Sequence, residues 1–185
     1  MSYIPQNILH TLIKVDFNNF IIENNILKYF QKLISLKSGN KSNGYINWRI
    51  ALDTKTLAKQ LVKYSLNFID DNFKEYECIF GVPESASKLA PLLNYENPKI
   101  ELLPMGRGKI KKHRDIRDKY FICPPKGRVI VLEDVITTGS SIDETIGKLQ
   151  KLEDIIIISA ICLTQRDDMQ NRYLSMSKLS ELKSI

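Results

Sequence analysis

The sequence predicts an α/β protein in which a parallel β-sheet is flanked by helices. Two observations carry this prediction. Short apolar runs that read as buried strands alternate with longer segments whose apolar residues recur at helical spacing, an alternation typical of parallel sheets. One of these runs, DIIIISAICL at residues 154–163, is too apolar for a half-exposed strand. The 185 residues suit one domain, which we expect to span residues 1–185.

The elements follow in chain order from the spacing of apolar residues. The segment 54–68 places Leu57, Leu61, Tyr64 and Phe68 on one face of a helix. The other predicted elements are a helix at 18–35, a strand at 77–83, a helix near 85–94, a strand at 99–104, a strand at 128–134, a helix at 141–152 and a strand at 154–163. No internal repeat or Pro/Ser-rich linker divides the chain.

The composition is that of a globular protein, with 43% hydrophobic and 26% charged residues. No apolar run approaches the length of a membrane span, and the first residues lack the layout of a signal peptide, so we expect a cytoplasmic protein. Cys78 and Cys162 lie in apolar runs and are predicted to be reduced core residues. The only histidines are His10 and His113, so we expect no zinc site.

Much of the net charge of +6 lies in residues 107–114, RGKIKKHR, where five of the eight residues are Lys or Arg. Such a run is typical of a solvated loop or a nucleic-acid patch, and it also suits a clamp for a small polyanion. Composition leaves these three interpretations open.

The segment VIVLEDVITTGSS, residues 129–141, runs from an apolar strand into Glu133 and Asp134 and then into a turn rich in hydroxyl groups. The S-x-x-E spacing of Ser141 and Glu144 suggests a helix capping box, which leaves the acid pair unexplained. Adjacent carboxylates at a strand end are costly unless hydroxyls or cations meet them. Backbone N–H groups at a helix N-terminus bind phosphate. The segment therefore predicts a site for a phosphorylated polyol.

This segment resembles the ribose-phosphate-binding motif of the type I phosphoribosyltransferases, which use 5-phosphoribosyl 1-diphosphate (PRPP). Three further segments, LISLKSGNKSNGYINWR, FGVPESASKLA and the R-x-x-x-K-x-H pattern of Arg107, Lys111 and His113, are similar to those of orotate phosphoribosyltransferases. The resemblance implies a type I phosphoribosyltransferase-like parallel sheet flanked by helices, a small N-terminal hood region and a flexible catalytic loop. It implies the transfer of the 5-phosphoribosyl group from PRPP to orotate in UMP biosynthesis.

The resemblance also implies the roles of individual residues. Glu133 and Asp134 would contact the ribose hydroxyls, and together with Lys111 and His113 they form the implied catalytic set. The implied PRPP-binding residues are Lys37, Ser85, Arg107, Lys109, Lys111, His113, Glu133, Asp134, Thr137, Thr138, Gly139, Ser140 and Ser141. The implied orotate-binding residues are Lys37, Tyr45, Ile46, Thr137 and Arg166. Mg²⁺ is the implied cofactor, held mainly through PRPP and water with no direct protein ligand.

The sequence departs from the family pattern at several positions, including Ser85, where a lysine or threonine is usual, and Gly108, where a basic residue is usual. Glu84 stands where a tyrosine or threonine is usual, Ile46 replaces an aromatic residue, and a gapless count puts Gln165 where an arginine binds the orotate carboxylate. Arg166 follows one position later. A phosphoribosyltransferase for another base and a PRPP-sensing regulatory or nucleic-acid-binding protein of the same fold are the alternatives. The resemblance implies a homodimer with shared active sites, and we expect no nucleic-acid or membrane partner.

Overall fold

The computed structural model describes residues 6–36, 39, 41–166 and 172–183, which form six α-helices and eight strands. The helices are α1 (Gln6–Glu23), α2 (Lys55–Asn72), α3 (Ala86–Glu96), α4 (Ile116–Tyr120), α5 (Ser140–Leu149) and α6 (Leu179–Lys183). The strands are β1 (Leu27–Ser35), β2 (Lys41–Ile46), β3 (Cys78–Gly81), β4 (Met105–Gly106), β5 (Phe121–Cys123), β6 (Gly127–Ile136), β7 (Ile155–Gln165) and β8 (Leu174–Lys178). A 3₁₀ turn covers Trp48–Leu52. Over these residues, no helix combines the length and apolarity needed to cross a membrane.

A parallel sheet with the strand order β3-β6-β7-β8 forms the centre of the fold and confirms the predicted α/β class. One of its two inner strands, β6, is fully buried from Val129 to Leu132, as expected for a strand covered on both faces. Two small antiparallel pairs, β1 with β2 and β4 with β5, lie outside this sheet.

The helix predicted at 18–35 is wrong in its second half, because α1 ends at Glu23 and a strand begins at Leu27. Two asparagines end the helix. The side-chain amide of Asn24 donates to the carbonyl of Phe20 at 2.9 Å, and Asn25 adopts a left-handed backbone with φ of 54°. Asparagine tolerates that conformation better than most residues, so the pair acts as a stop signal.

The strand predicted at 99–104 is also wrong, and Asn94 of α3 supplies a physical reason. Its side-chain amide donates to the carbonyl of Ile79 at 2.7 Å and its carbonyl oxygen accepts from the Ile79 N–H at 2.8 Å. One fully buried side chain thus occupies the β3 backbone groups that a neighbouring strand would use. On that side of β3, regular pairing is replaced by a side chain.

The pairing of β6 with β7 contains one irregularity that matters for the site. Val129 pairs with Ile157 and Ile130 pairs with Ser159, which leaves Ile158 as an extra residue in β7. Such a bulge displaces every later residue of its strand by one position relative to the neighbour. The residues of β7 after Ile158 are therefore displaced by one position relative to β6.

The N-terminal elements pack beside the sheet. Phe17 of α1 stacks on Trp48 with ring centroids 5.5 Å apart, and Lys14 forms an ion pair with Glu181 of α6 at 2.6 Å. These contacts join the N-terminal helix to both the 3₁₀ turn and the C-terminal helix. The β1–β2 pair lies between α1 and this turn in the chain, within the N-terminal part where the hood region is predicted.

Asn94→Ala should lower the free energy of unfolding by about 3 kcal/mol, because it leaves the buried N–H and C=O of Ile79 without partners. Urea denaturation measures the change. Asn67→Ala, at an exposed position of α2, is the matched control and should change stability by less than about 0.5 kcal/mol. Equal effects of the two substitutions would mean that Asn94 does not replace a strand partner.

Candidate active site

The carboxyl ends of β3, β6 and β7 lie at one edge of the parallel sheet. Ligands of open α/β sheets bind beyond this edge. The G-V-P segment follows β3, the hydroxyl-rich turn follows β6, and Arg166 follows β7. The topology thus brings together three of the segments from which the sequence predicts a site.

The acid pair lies inside β6, because the strand continues past it to Ile136. Glu133 is 7% exposed and Asp134 is partly buried. A carboxylate oxygen of Glu133 accepts a hydrogen bond from the Asp134 N–H at 3.0 Å, and Asp134 accepts one from the Val135 N–H at 2.8 Å. Hydrogen bonds from backbone donors fix the orientation of carboxylates. The pair is therefore oriented by its own backbone.

The sheet contains two buried thiols, one beside the acid pair and one at the start of β3, and the pKa of each is raised. Burial raises the pKa of Cys162, and the carboxylate of Glu133 on the neighbouring strand raises it further. Burial likewise raises the pKa of Cys78 to about 11. Since the thiolate is the reactive form, neither residue is a nucleophile near neutral pH. Both are core residues, as predicted from their apolar surroundings.

The turn after β6 has the geometry of an anion site. Gly139 has φ of 82°, which glycine adopts without strain, and α5 begins at the next residue without a side-chain cap. The capping box suggested by the spacing of Ser141 and Glu144 is not formed, because the N-cap is Gly139 and Ser141 lies within the first turn of α5. Glu144 pairs with Lys148 at 2.7 Å instead. The positive end of the α5 dipole therefore faces a small cavity of about 20 Å³. Glu133 and residues 135–142 line this cavity.

The segment after β3 depends on a close backbone approach at Gly81. A Cβ atom on Gly81 would lie 2.2 Å from the carbonyl oxygen of Ala86. The next residue, Val82, donates its N–H to the carbonyl of Leu132 at 2.8 Å, which ties the segment to β6. Ser85 is partly buried just before α3, whereas the side chain of Glu84 is exposed. The loop therefore reaches the edge of the sheet close to the acid pair.

The basic segment connects β4 to α4 and is folded back on itself. The backbone N–H of Arg107 donates to the carbonyl of Tyr120 at 2.8 Å, and its side-chain Nε donates to the carbonyl of Asp118 at 2.8 Å. The N–H of Lys111 donates to the carbonyl of Lys119 at 3.2 Å. Five basic side chains of this segment are exposed, and three of them belong to the predicted site, namely Lys109, Lys111 and His113. The predicted mobility of the segment stays a prediction.

The C-terminal end of the basic segment, at α4, is attached to the part of the fold that holds the central sheet. Arg117 of α4 forms an ion pair with Asp154 at 2.8 Å, beside the start of β7. The ring of Tyr120 has the ammonium groups of Lys148 and Lys151 at 5.9 and 5.1 Å from its centroid. A hydrogen bond from Lys151 holds the pKa of the Tyr120 hydroxyl below its usual range. These contacts fix the base of the basic segment against α5.

Arg166 reaches the β1–β2 pair. Its guanidinium donates to the Ser42 hydroxyl at 2.7 Å and to the Gly44 carbonyl at 3.3 Å. Its backbone N–H donates to the carbonyl of Ile136 at 3.1 Å. Gln165 is buried at the end of β7, with 3% exposure. The bulge at Ile158 sets the register in which Gln165 pairs with Ile136 and Arg166 follows at the end of the strand.

The other predicted orotate-binding residues differ in how exposed their side chains are. Tyr45 is partly exposed on β2. Ile46 is 8% exposed and belongs to the hydrophobic core, and its contact with a base stays a prediction. Lys37 lies outside the described residues. Thr137, like the other residues of the turn, lines the small cavity together with Glu133.

Sequence reasoning missed Ser42. The residue lies in a polar segment that reads as an ordinary turn, and its partner Arg166 is 124 positions away. No local spacing signals such a contact. Only the placement of β2 beside the end of β7 reveals it.

Comparisons with known proteins find relatives among the curated sequences and the solved structures. No protein-family model matches the chain. Curated relatives include the orotate phosphoribosyltransferase of Buchnera aphidicola subsp. Baizongia pistaciae, 29% identical over 92% of this chain and 82% of the relative. The enzyme of the same name from Clostridium acetobutylicum is 28% identical over 92% of this chain and 76% of the relative.

Solved structures share the fold. Orotate phosphoribosyltransferase from Aeropyrum pernix superposes with a TM-score of 0.68 at 21% identity, over 91% of this chain and 97% of that protein. The Mycobacterium tuberculosis enzyme in complex with PRPP superposes with a TM-score of 0.62 at 14% identity, over 92% of this chain and 91% of that protein. At these identities the superpositions establish the fold of the chain.

Gly81→Ala should lower the free energy of unfolding by about 1–3 kcal/mol, because the new methyl group overlaps the backbone of residue 86. Thermal or urea denaturation tests this. Gly147→Ala is the matched control, since a Cβ there meets nothing within 4 Å and alanine favours the α5 helix. A Gly81→Ala variant as stable as Gly147→Ala would show that the close approach after β3 is not required.

Proposed function

We propose that this chain, a homologue of the orotate phosphoribosyltransferases with the type I phosphoribosyltransferase fold, transfers the 5-phosphoribosyl group from PRPP to orotate. The products are orotidine 5′-monophosphate and pyrophosphate, a step of UMP biosynthesis. One observation carries the proposal. The carboxyl end of β6 presents an acid pair and then an uncapped helix N-terminus, in a chain whose relatives bear the name of this activity.

The two parts of this strand end match the two ends of a ribose phosphate. The turn of residues 137–141 offers backbone N–H groups, hydroxyls and the α5 dipole to the 5′-phosphate. Glu133 and Asp134 accept hydrogen bonds from the ribose hydroxyls. The acids and the phosphate therefore contact different parts of one substrate. A solved structure of the same fold holds PRPP, which supports this substrate class.

The chemical step exchanges one bond at C1 of the ribose. The bond from C1 to the diphosphate oxygen breaks, and its electron pair leaves with the pyrophosphate. The N1 proton of orotate passes to an oxygen of the departing pyrophosphate, and N1 supplies the electron pair that forms the new C1–N1 bond. Positive charge develops on the ribose ring in between, and the carboxylates of Glu133 and Asp134 stabilise it.

The basic segment stabilises the opposite charge. Lys109, Lys111 and His113 carry exposed side chains that can close over the departing pyrophosphate. Arg107 donates to the carbonyl of Asp118, so its use on PRPP exchanges that hydrogen bond for one to a phosphate oxygen. A hydrogen bond to a charged oxygen is stronger than one to a neutral carbonyl, which favours the exchange when substrate is present.

Mg²⁺ is the proposed cofactor. Among the described residues no three His, Cys, Asp or Glu side chains form a metal cluster, while two carboxylates lie beside the ribose site. This donor set fits an ion that keeps most of its waters and binds mainly through substrate oxygens. When bound, Mg²⁺ supplies positive charge to the diphosphate.

The base is proposed to lie between the end of β7 and β2. Arg166 would pair with the orotate carboxylate through its planar fork of donors. Tyr45, Ile46, Thr137 and Lys37 complete the proposed set around the base. Uracil, adenine and hypoxanthine carry no carboxylate for Arg166.

We also propose a cytoplasmic homodimer with shared active sites. Exposed apolar side chains on β1 and near the β4–β5 pair support an interface between copies. They are Tyr29, Phe30, Leu33, Leu103 and Ile122. Buried free thiols support a reducing compartment.

Pyrophosphate release with PRPP, Mg²⁺ and a panel of bases tests the proposed activity. We expect release with orotate and little with uracil, adenine or hypoxanthine. Asp134→Asn keeps the shape of the side chain and should lower turnover on the order of 10²-fold. Preference for another base would assign a different phosphoribosyltransferase, and tight nucleic-acid binding without pyrophosphate release would assign a regulator.

Mixing two variants of low activity tests whether the two subunits share their active sites. Lys111→Ala should lower activity without changing the melting temperature, because its side chain is exposed. If the loop of one subunit completes its neighbour's site, Lys111→Ala and Asp134→Asn subunits together form one intact site per mixed dimer. After subunit exchange in equal amounts, about a quarter of the wild-type activity should return. Activity no greater than the average of the two variants would mean that each subunit uses its own loop.

A further inference from the structure

We infer that Ser42 is a positioning residue that sets the preference for a carboxylate-bearing base, by holding the guanidinium of Arg166. This inference rests on the proposed function and assigns the specificity of the same site. Ser42 itself does not need to touch the base. It acts through Arg166, which follows β7 at the carboxyl edge of the sheet.

Every hydrogen-bonding position of the Ser42 hydroxyl is used. It donates to the Gly44 carbonyl at 3.0 Å and accepts from the Gly44 N–H at 3.0 Å. It also accepts from Nη2 of Arg166 at 2.7 Å. A hydroxyl group has one donor and two acceptor positions, so its rotation is fixed by these three bonds. Ser42 is 6% exposed, which shields the bonds from water.

The backbone around Ser42 is arranged for this role. Tyr29 pairs with Gly44 and Ile34 pairs with Ser42. The distance between these two pairs is five residues along β1 but only two residues along β2. This irregularity interrupts the regular ladder between these two pairs. The backbone groups of Gly44 meet the Ser42 side chain, and the Gly44 carbonyl also accepts from Nη1 of Arg166 at 3.3 Å.

The held guanidinium keeps donors for a ligand. A guanidinium has five N–H donors, and Ser42 and Gly44 use two of them. Within the part of the chain that the structure describes, no carboxylate forms an ion pair with Arg166. A planar guanidinium fixed on one side can present a fork of two N–H groups on another. A carboxylate substituent on the base fits that fork.

Fixing the guanidinium affects only substrates that have the carboxylate. An arginine that is already oriented loses less rotational freedom when it binds an anion. A base without a carboxylate gains nothing from this orientation. Ser42 should therefore influence orotate and leave PRPP and uracil almost unaffected.

Steady-state kinetics of Ser42→Ala test the inference. We expect the KM for orotate to rise about 10-fold, as for loss of a hydrogen bond to a charged group, while the KM for PRPP stays within about 2-fold. The inhibition constant of uracil should not change, and Ser42→Thr, which keeps the hydroxyl, should restore orotate binding. Ser65→Ala is the matched control, because Ser65 is 1% exposed and its hydroxyl has no hydrogen-bond partner.

A double-mutant cycle provides a second test, which remains valid if Ser42→Ala lowers the stability of the protein. In the background of Arg166→Lys, which removes the planar fork, Ser42→Ala should raise the KM for orotate by less than about 2-fold. Equal effects on orotate and PRPP, an unchanged KM for orotate, or a full 10-fold effect in the Arg166→Lys background would each overturn the inference. Absence of pyrophosphate release with orotate in the wild-type protein would instead overturn the proposed function.

Discussion

The parallel pairing of β6 with β7 is the interaction on which the site depends. It places the end of the acid-bearing strand beside the end of the strand that leads into Arg166. The extra residue Ile158 decides which side chain leaves β7 at that edge. With Ile158 in the strand, Gln165 is buried in the sheet and Arg166 extends to β2. A one-residue change of register would exchange a cation for a neutral amide on the base side.

The site separates opposite charges in space. Carboxylates lie within β6, the dipole of α5 faces the turn that follows, and the cations lie on a segment whose base is attached by Arg117 and Tyr120. This arrangement lets one substrate meet acids at its hydroxyls and positive groups at its phosphates. It also explains why an acid pair and an anion site occur in one short segment without conflict.

The fold class and the strand end at β6 could be predicted from the sequence, because buried strands and the turn chemistry after Ile136 are local signals. The end of α1 at Asn24 and Asn25 is also a local signal, but the prediction of a helix over residues 18–35 passes over it. Two features depend on distant contacts and have no local signal. Asn94 satisfies β3 from another element, and Ser42 meets Arg166 across the fold. The bulge at Ile158 likewise requires the neighbouring strand to be known, since a continuous apolar run hides it.

A crystal structure of the chain with orotidine 5′-monophosphate bound tests the site most directly. We expect the phosphate at the turn of residues 137–141 and the ribose hydroxyls facing Glu133 and Asp134. The carboxylate of the base should lie about 3 Å from the guanidinium of Arg166. A base carboxylate directed away from Arg166, or a phosphate bound away from the turn after β6, would contradict the proposed arrangement.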